Sequence, residues 1–94
     1  MTETLLGHHI YEIRKGVRRL ALLTMKKERY VRSLPRLDAC GVAFLAQECG
    51  SEKVNLFLGD PDCLAVVESF ACPDLSRLSP EQDFMLGTLL GYDL

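Results

Sequence analysis

The sequence predicts a single α+β domain over residues 1–94, with its elements in the order α-β-α-β-β-α-α. Three short apolar runs have the length typical of strands, and capping residues and helical spacing mark four helices around them. The composition, with 48% hydrophobic and 26% charged residues, is ordinary for one globular domain. We therefore expect a small three-stranded mixed sheet with helices packed mainly on one face.

The first element, residues 8–15, fits two conformations. Ile10 and Ile13 lie at helical spacing, and Gly16 is a suitable residue to end a helix. A strand, in which His9 and Ile13 share a side, fits nearly as well. The helix is favoured, and the strand stays open as an alternative.

A buried strand and a basic helix are expected next. Residues 18–25 form an apolar run too short for a lone helix, which indicates a central strand. Residues 26–34 are good helix formers, and Pro35 is expected to end this helix near Leu34. Tyr30 and Leu34, four residues apart, would then face inward.

Residues 40–47 and 53–58 indicate two further strands. The turn at residues 49–52 between them predicts a hairpin. Strand alternation then divides the second strand between two faces. One face would carry Val54, Leu56 and Leu58, and the other Asn55 and Phe57.

Two capped helices complete the chain. Asp60 is a good N-cap with Pro61 at N1, and Pro73 is expected to end the helix. Its predicted inward residues are Cys63, Leu64, Val66, Val67 and Phe70.

The last helix begins with a capping box, in which Ser79 caps, Pro80 occupies N1 and Gln82 bonds back. Its predicted apolar stripe is Met85, Leu86, Leu89 and Leu90. Gly91 can take the left-handed conformation that ends a helix.

Charge is divided sharply along the chain. Residues 1–37 hold nine basic and three acidic residues, a net charge of +6, whereas residues 38–94 hold two basic and ten acidic residues, a net charge of −8. A solvated helix face explains part of this pattern. The remainder predicts a surface that docks an anionic partner. The candidate contacts are Arg14, Lys15, Arg18, Arg19, Lys26, Lys27, Arg29 and Arg32.

An acidic protein, or the acidic half of a second copy, fits this surface best. Nucleic acid fits poorly, because the overall pI is 5.6 and no aromatic platform for base stacking is evident. A three-stranded sheet covered on one face would also leave a second face and two edges for a partner or a dimer to cover.

The alternative function is a cysteine-based metal-binding or redox-linked protein. Its ligands would be Cys40, Cys49, Cys63 and Cys72, with His8 or His9. The thiols lack the close spacing of a zinc knuckle, and adjacent histidines diverge on either a helix or a strand. Structural thiols are favoured, and the sequence indicates no catalytic residue, metal site or cofactor.

The expected location is the cytoplasm. No apolar run approaches the length needed to span a bilayer, and the N-terminus lacks the features of a signal peptide. In a reducing compartment the four thiols should stay free of disulfides.

Three segments carry a family resemblance: HHIYEIRKGVRRLALLT at 8–24, NLFLGDPDC at 55–63 and SPEQDFMLGTLLGYD at 79–93. Together they resemble a small uncharacterised bacterial family, a domain of unknown function. The resemblance implies a compact α+β domain without an established catalytic motif. It also implies flavodoxin as a partner, since genes of the family stand beside flavodoxin genes. Flavodoxins are acidic, which would suit the basic first third of this chain.

Overall fold

The computed structural model describes residues 2–70 and 75–91, and these ranges contain four α-helices and three β-strands. The helices are α1 (Thr2–Arg14), α2 (Lys27–Ala39), α3 (Pro61–Ser69) and α4 (Pro80–Leu89). The strands are β1 (Leu20–Lys26), β2 (Phe44–Cys49) and β3 (Lys53–Gly59), and a 3₁₀ turn (Leu75–Arg77) precedes α4. The α+β class and the predicted order of elements are confirmed.

The sheet has the strand order β1-β3-β2, and both pairings are antiparallel. The expectation of a mixed sheet is therefore wrong, and so is the central place expected for residues 18–25, because β1 is an edge strand. β3 takes the centre because every residue from Val54 to Gly59 is buried, whereas β1 alternates with exposed residues towards its end. The predicted hairpin between β2 and β3 is confirmed.

Helices cover both faces of the sheet, which corrects the expectation that they pack mainly on one. Strand alternation places Leu56 and Leu58 on one side of β3 and Phe57 on the other, as predicted, and all three are fully buried. Each side of the sheet therefore needs its own helices to bury these apolar side chains. The core under α1 and α2 contains Leu6, Ile10, Leu23, Met25, Leu37, Leu56 and Leu58. The core under α3 and α4 contains Leu20, Phe57, Cys63, Leu64, Val67, Phe70, Leu86 and Leu90.

The first element is a helix, not the alternative strand. α1 extends back to Thr2, so that Leu6 and Ile10, four residues apart, both reach the core. Gly16 follows the helix with a φ of +78°, the left-handed conformation expected where a helix ends.

α2 continues past Pro35, which corrects the expected end near Leu34. The helix reaches Ala39 and buries Leu37, which is 1% exposed. Pro35 and Val31, whose carbonyl loses its helical donor to the proline, both lie on the exposed side of α2. Water can satisfy that carbonyl, so burial of Leu37 outweighs the lost hydrogen bond.

The capping predictions for α3 and α4 are confirmed. Oδ1 of Asp60 accepts a hydrogen bond from the Asp62 amide at 2.8 Å. Ser79 and Gln82 form the capping box, with the two bonds at 3.1 and 3.0 Å.

One predicted inward residue of α4 faces out. Met85 is 45% exposed, because Leu86 and Leu90, one helical turn apart, define the buried side of this helix. Gly91 has the left-handed conformation predicted for it, with φ of +79°. The predicted helix end at Pro73 lies outside the described residues.

Candidate functional site

The charge division along the sequence becomes a charge division between the two sides of the sheet. α1 and α2 together carry five basic and four acidic residues, a net charge of +1, whereas α3 and α4 together carry four acidic and no basic residues, a net charge of −4. The first two helices cover one face and the last two cover the other. The α1/α2 side is therefore the basic side of the molecule within the described ranges.

Three arginines form a stripe along α2. Arg29, Arg32 and Arg36 are spaced by three and four residues, which places them on one side of a helix. That side faces α1, because the Arg36 guanidinium lies directly over Gly7. A Cβ at Gly7 would come 2.5 Å from Nη2 of Arg36, so the missing side chain allows this close approach.

An open groove of about 410 Å³ lies beside this contact between α1 and α2. We call it the basic groove, and its lining is Gly7, Ile10, Tyr11, Arg14, Lys15 and Arg36. Half of these residues are cationic and none of them is acidic. Lys15 Nζ lies 5.7 Å from the centre of the Tyr11 ring, within reach of a cation–π contact, and Tyr11 is 60% exposed.

The predicted contact residues fall into two groups. Arg14 and Lys15 line the basic groove, and Arg29 and Arg32 continue the cationic surface along α2. Lys26, the N-cap residue of α2, lies outside the basic groove and shares a separate cleft with Arg29.

Local carboxylates hold the other three predicted residues. Arg18 Nε lies 3.7 Å from Glu12 Oε1, Arg19 Nη2 lies 3.2 Å from Asp60 Oδ2, and Lys27 Nζ lies 3.3 Å from Glu48 Oε1. These three cations act within the fold and are less available to a partner than Arg14 and Lys15.

Sequence reasoning missed two basic residues, Arg36 on this surface and Lys53 opposite Lys26. Arg36 was excluded by the expected helix end at Pro35, although its spacing of four from Arg32 marks it as part of the same stripe. Lys53 lies directly opposite Lys26 because β1 pairs with β3. That register follows from long-range contacts, which local sequence patterns do not show.

Arg18 connects the two sides of the molecule. Its guanidinium Nη1 donates a hydrogen bond at 3.1 Å to the carbonyl of Leu90, and its Nε faces Glu12 of α1. Glu12 also lies 3.2 Å from His8 Nε2 and 3.6 Å from His9 Nδ1. Burial, followed by the charge of Arg18, lowers the pKa of His9 in spite of the nearby carboxylate.

Arg19 and Asp60 join β1 to the start of α3. The amide of Asp62 and then the guanidinium of Arg19 lower the pKa of the Asp60 carboxyl, because both stabilise its ionised form. The hydrogen bond to Asp60 in turn raises the pKa of Arg19. Asp60 therefore both caps α3 and neutralises one arginine of the predicted surface.

The described cysteines are separate free thiols. Cys63 is buried, and burial raises the pKa of its thiol, which disfavours the reactive thiolate. Cys40 donates to the carbonyl of Leu37 at 3.2 Å, and Cys49 is half-buried. Within residues 2–70 and 75–91 no three His, Cys, Asp or Glu side chains could hold one metal ion, and Cys72 lies outside those ranges.

Fold and surface together define a small α+β protein with helices on both sides of an antiparallel sheet and a basic groove on one side. The chain matches the family described as Protein of unknown function (DUF2023) over residues 4–94, and it belongs to that family. No curated protein matches the sequence. None of the helices in the described ranges is long and apolar enough to cross a bilayer.

Proposed function

We propose that this protein is a non-enzymatic interaction module that docks an acidic protein through the basic groove and the adjoining arginines of α2. The observation that carries the proposal is the composition of the groove, in which three of six lining residues are cationic and none is acidic. Such a surface attracts and orients a negatively charged partner during encounter.

The contact surface in this proposal is Arg14, Lys15, Arg29, Arg32 and Arg36. Arg18, Arg19 and Lys27 contribute less than Arg14 and Lys15, because Glu12, Asp60 and Glu48 already neutralise them. The exposed ring of Tyr11 adds an apolar contact in the middle of the charged groove.

A separate acidic partner fits better than a second copy of this chain. Self-association would place the basic α1/α2 side of one copy against the acidic α3/α4 side of the next. That contact joins two different surfaces, so it would propagate into an open chain unless its rotation closed a ring. Flavodoxin is the partner of choice for a first experiment, because the family resemblance implies it and flavodoxins are acidic.

Titration with flavodoxin tests the proposal, using isothermal calorimetry at about 50 mM and about 0.5 M salt. We expect binding at low salt that weakens strongly at high salt, because the Debye length shortens. Arg14→Glu should weaken binding about tenfold, through the loss of one contact and the gain of a repulsive one.

Arg77→Glu is the matched control. It makes the same change in net charge, but Arg77 is exposed on the 3₁₀ turn before α4, away from the basic groove. Binding by this variant should equal that of the unaltered protein. Absence of binding at low salt, or equal losses for the two variants, would contradict the proposal.

A further inference from the structure

The outer edge of β1 has main-chain groups that pair with no strand of the described residues. The Asp60 amide bonds the Arg19 carbonyl, and the Lys27 amide bonds the Glu52 carbonyl, so the odd-numbered residues of β1 face β3. The even-numbered residues therefore direct their main-chain groups outward. Within the described residues no strand pairs with β1 on that side.

The open part of this edge runs from Leu22 to Lys26. Thr24 and Lys26 are exposed and Leu22 is half-buried, whereas Leu20 at the other end is fully buried. The Thr24 hydroxyl donates to Oδ1 of Asn55 at 2.7 Å, so its side chain is engaged, whereas its outward main-chain groups bond no residue within 2–70 and 75–91. Lys26 is the N-cap residue of α2, and its carbonyl accepts the first hydrogen bond of the helix. Its amide is therefore the outward group that remains for a partner.

An apolar groove of about 530 Å³ adjoins this edge on the α4 side. Its lining is mostly apolar and includes Leu22, Leu75 and Phe84, of which Phe84 is 62% exposed, together with one carboxylate, that of Asp83. Side chains of neighbouring strands that stand side by side point to the same face of a sheet. A residue paired beside Leu22 would therefore extend its side chain into this groove.

Two lysines make the same end of the sheet basic. Lys26 and Lys53 lie directly opposite each other in the register of β1 and β3, and both are exposed. Neither forms an ion pair with any residue in the described ranges. They share a cleft with Thr24, Met25 and Arg29. Like charges held in this position repel each other and attract an anion.

We propose that the edge of β1 accepts an extended, acidic segment of a partner protein as a fourth strand. Main-chain bonds to Leu22, Thr24 and Lys26 would hold the segment. An apolar side chain would fill the groove beside Leu22, and a carboxylate would approach Lys26 and Lys53. This surface lies outside the basic groove and shares only Arg29 with the docking surface proposed above, so the inference goes beyond the proposed function.

Charge favours such a segment over another copy of this chain. Pairing of two β1 edges would bring no carboxylate to Lys26 and Lys53, because β1 itself contains no acidic residue. Positive residues at the ends of an edge strand are a known protection against self-pairing. The outer edge of β2 is the poorer site for an acidic segment, since it carries the exposed Glu48.

The probe is a fluorescein-labelled octapeptide with one glutamate and one valine four residues apart, which places both side chains on the same face of the added strand, measured by fluorescence anisotropy with the full chain. Two further peptides carry N-methyl groups on alternate residues, one set on the odd and one on the even positions. Only one edge of an added strand bonds β1, so one N-methylated peptide should keep its affinity and the other should lose at least about tenfold. Equal affinities for the two N-methylated peptides would overturn the proposal.

Lys26→Pro and Lys26→Gln form a matched pair of variants. Lys26 has φ of −68°, which proline adopts without strain, so Lys26→Pro removes the outward amide at little cost to the fold. Lys26→Gln removes the charge and keeps the amide. We expect Lys26→Gln to weaken peptide binding in a salt-dependent way, and Lys26→Pro to weaken it by about a further fivefold at any salt.

Amide exchange locates the peptide. The amides of Leu22, Thr24 and Lys26 should exchange at least about tenfold more slowly when the peptide is bound. Peptide affinity that falls with Arg14→Glu but not with Lys26→Pro would overturn this inference, because the peptide would then lie in the basic groove. Dimerisation without peptide, detected by sedimentation velocity, would also overturn it if the same amides exchange slowly in the dimer.

Discussion

On the α1/α2 side of the sheet the helices bury Leu56 and Leu58 of β3, and on the α3/α4 side they bury Phe57. Both sides thus meet the same packing demand. Their surfaces nevertheless differ, since α2 carries an excess of basic residues and α3 and α4 carry only acidic ones. Packing against the sheet requires apolar residues on the inner face of each helix but does not determine the charge of its outer face. The difference between the two outer surfaces is therefore not a requirement of the fold.

The largest expected effect tests whether the two sides are one cooperative unit. Phe57→Ala should lower the free energy of unfolding by about 3–5 kcal/mol and Leu56→Ala by about 2–5 kcal/mol, because both side chains are 0% exposed. Urea unfolding followed by far-ultraviolet circular dichroism measures both values. A single transition is expected for each variant, since β3 belongs to both cores. Two separate transitions in either variant would show that the sides unfold independently.

Gly59 lies where the shared strand β3 passes into the α3/α4 side. Its φ is +146°, and a Cβ there would collide with the carbonyl oxygen of Arg19. Gly59→Ala should therefore cost about 3 kcal/mol of unfolding free energy, from backbone strain and overpacking together.

Gly50→Ala is the control for Gly59→Ala. Gly50 also has a positive φ, +75°, but a Cβ there meets no atom within 4 Å. Its cost should be about 1 kcal/mol, from the left-handed backbone alone. Equal costs for the two variants in urea unfolding would contradict the close approach to Arg19.

The sequence was sufficient for features that depend on neighbouring residues. The helix caps at Asp60 and Ser79 follow from side chains that bond amides two or three residues away. The two faces of β3 follow from strand alternation alone. The excess of basic residues that forms the α1/α2 surface likewise follows from the residue types in the first third of the chain.

Features that depend on distant contacts were not predictable in the same way. The strand order, and with it the opposition of Lys26 and Lys53, results from β3 inserting beside β1, across a separation that local patterns do not encode. Helix continuation past Pro35 depends on a place in the core for Leu37. That continuation decides whether Arg36 joins the basic groove, so an error about one proline removed a residue from the predicted site.

A smaller effect should appear in the pH dependence of stability on the α1/α2 side. His9 has a lowered pKa in the folded state, and the groups that face it are Glu12, Arg18 and His8. The unfolded chain therefore binds more protons than the folded one as the pH falls below about 6.5, so acidification destabilises the fold. This loss begins near the unfolded pKa and is complete below the folded one.

His9→Gln removes this titration. Its free energy of unfolding should fall less than that of the unaltered protein between about pH 7 and pH 5. Urea unfolding at several pH values measures the two slopes. His8→Gln, at the neighbouring exposed position, is the control. An unchanged slope in His9→Gln would show that burial of His9 does not set the acid response.

The smallest expected effect concerns the lysine pair at the edge of β1. Lys26→Glu replaces a like-charge pair opposite Lys53 with an attractive one, and it places a negative charge at the start of α2. The free energy of unfolding should rise by about 0.5 kcal/mol at low salt and by less at about 1 M salt.

The same change in a Lys53→Gln background separates the cross-strand contribution from that of the helix dipole. If Lys26→Glu stabilises the fold and at the same time weakens binding of the acidic peptide, the lysine pair costs stability and contributes to binding. A lower free energy of unfolding for Lys26→Glu would instead show that Lys26 makes contacts that stabilise the fold.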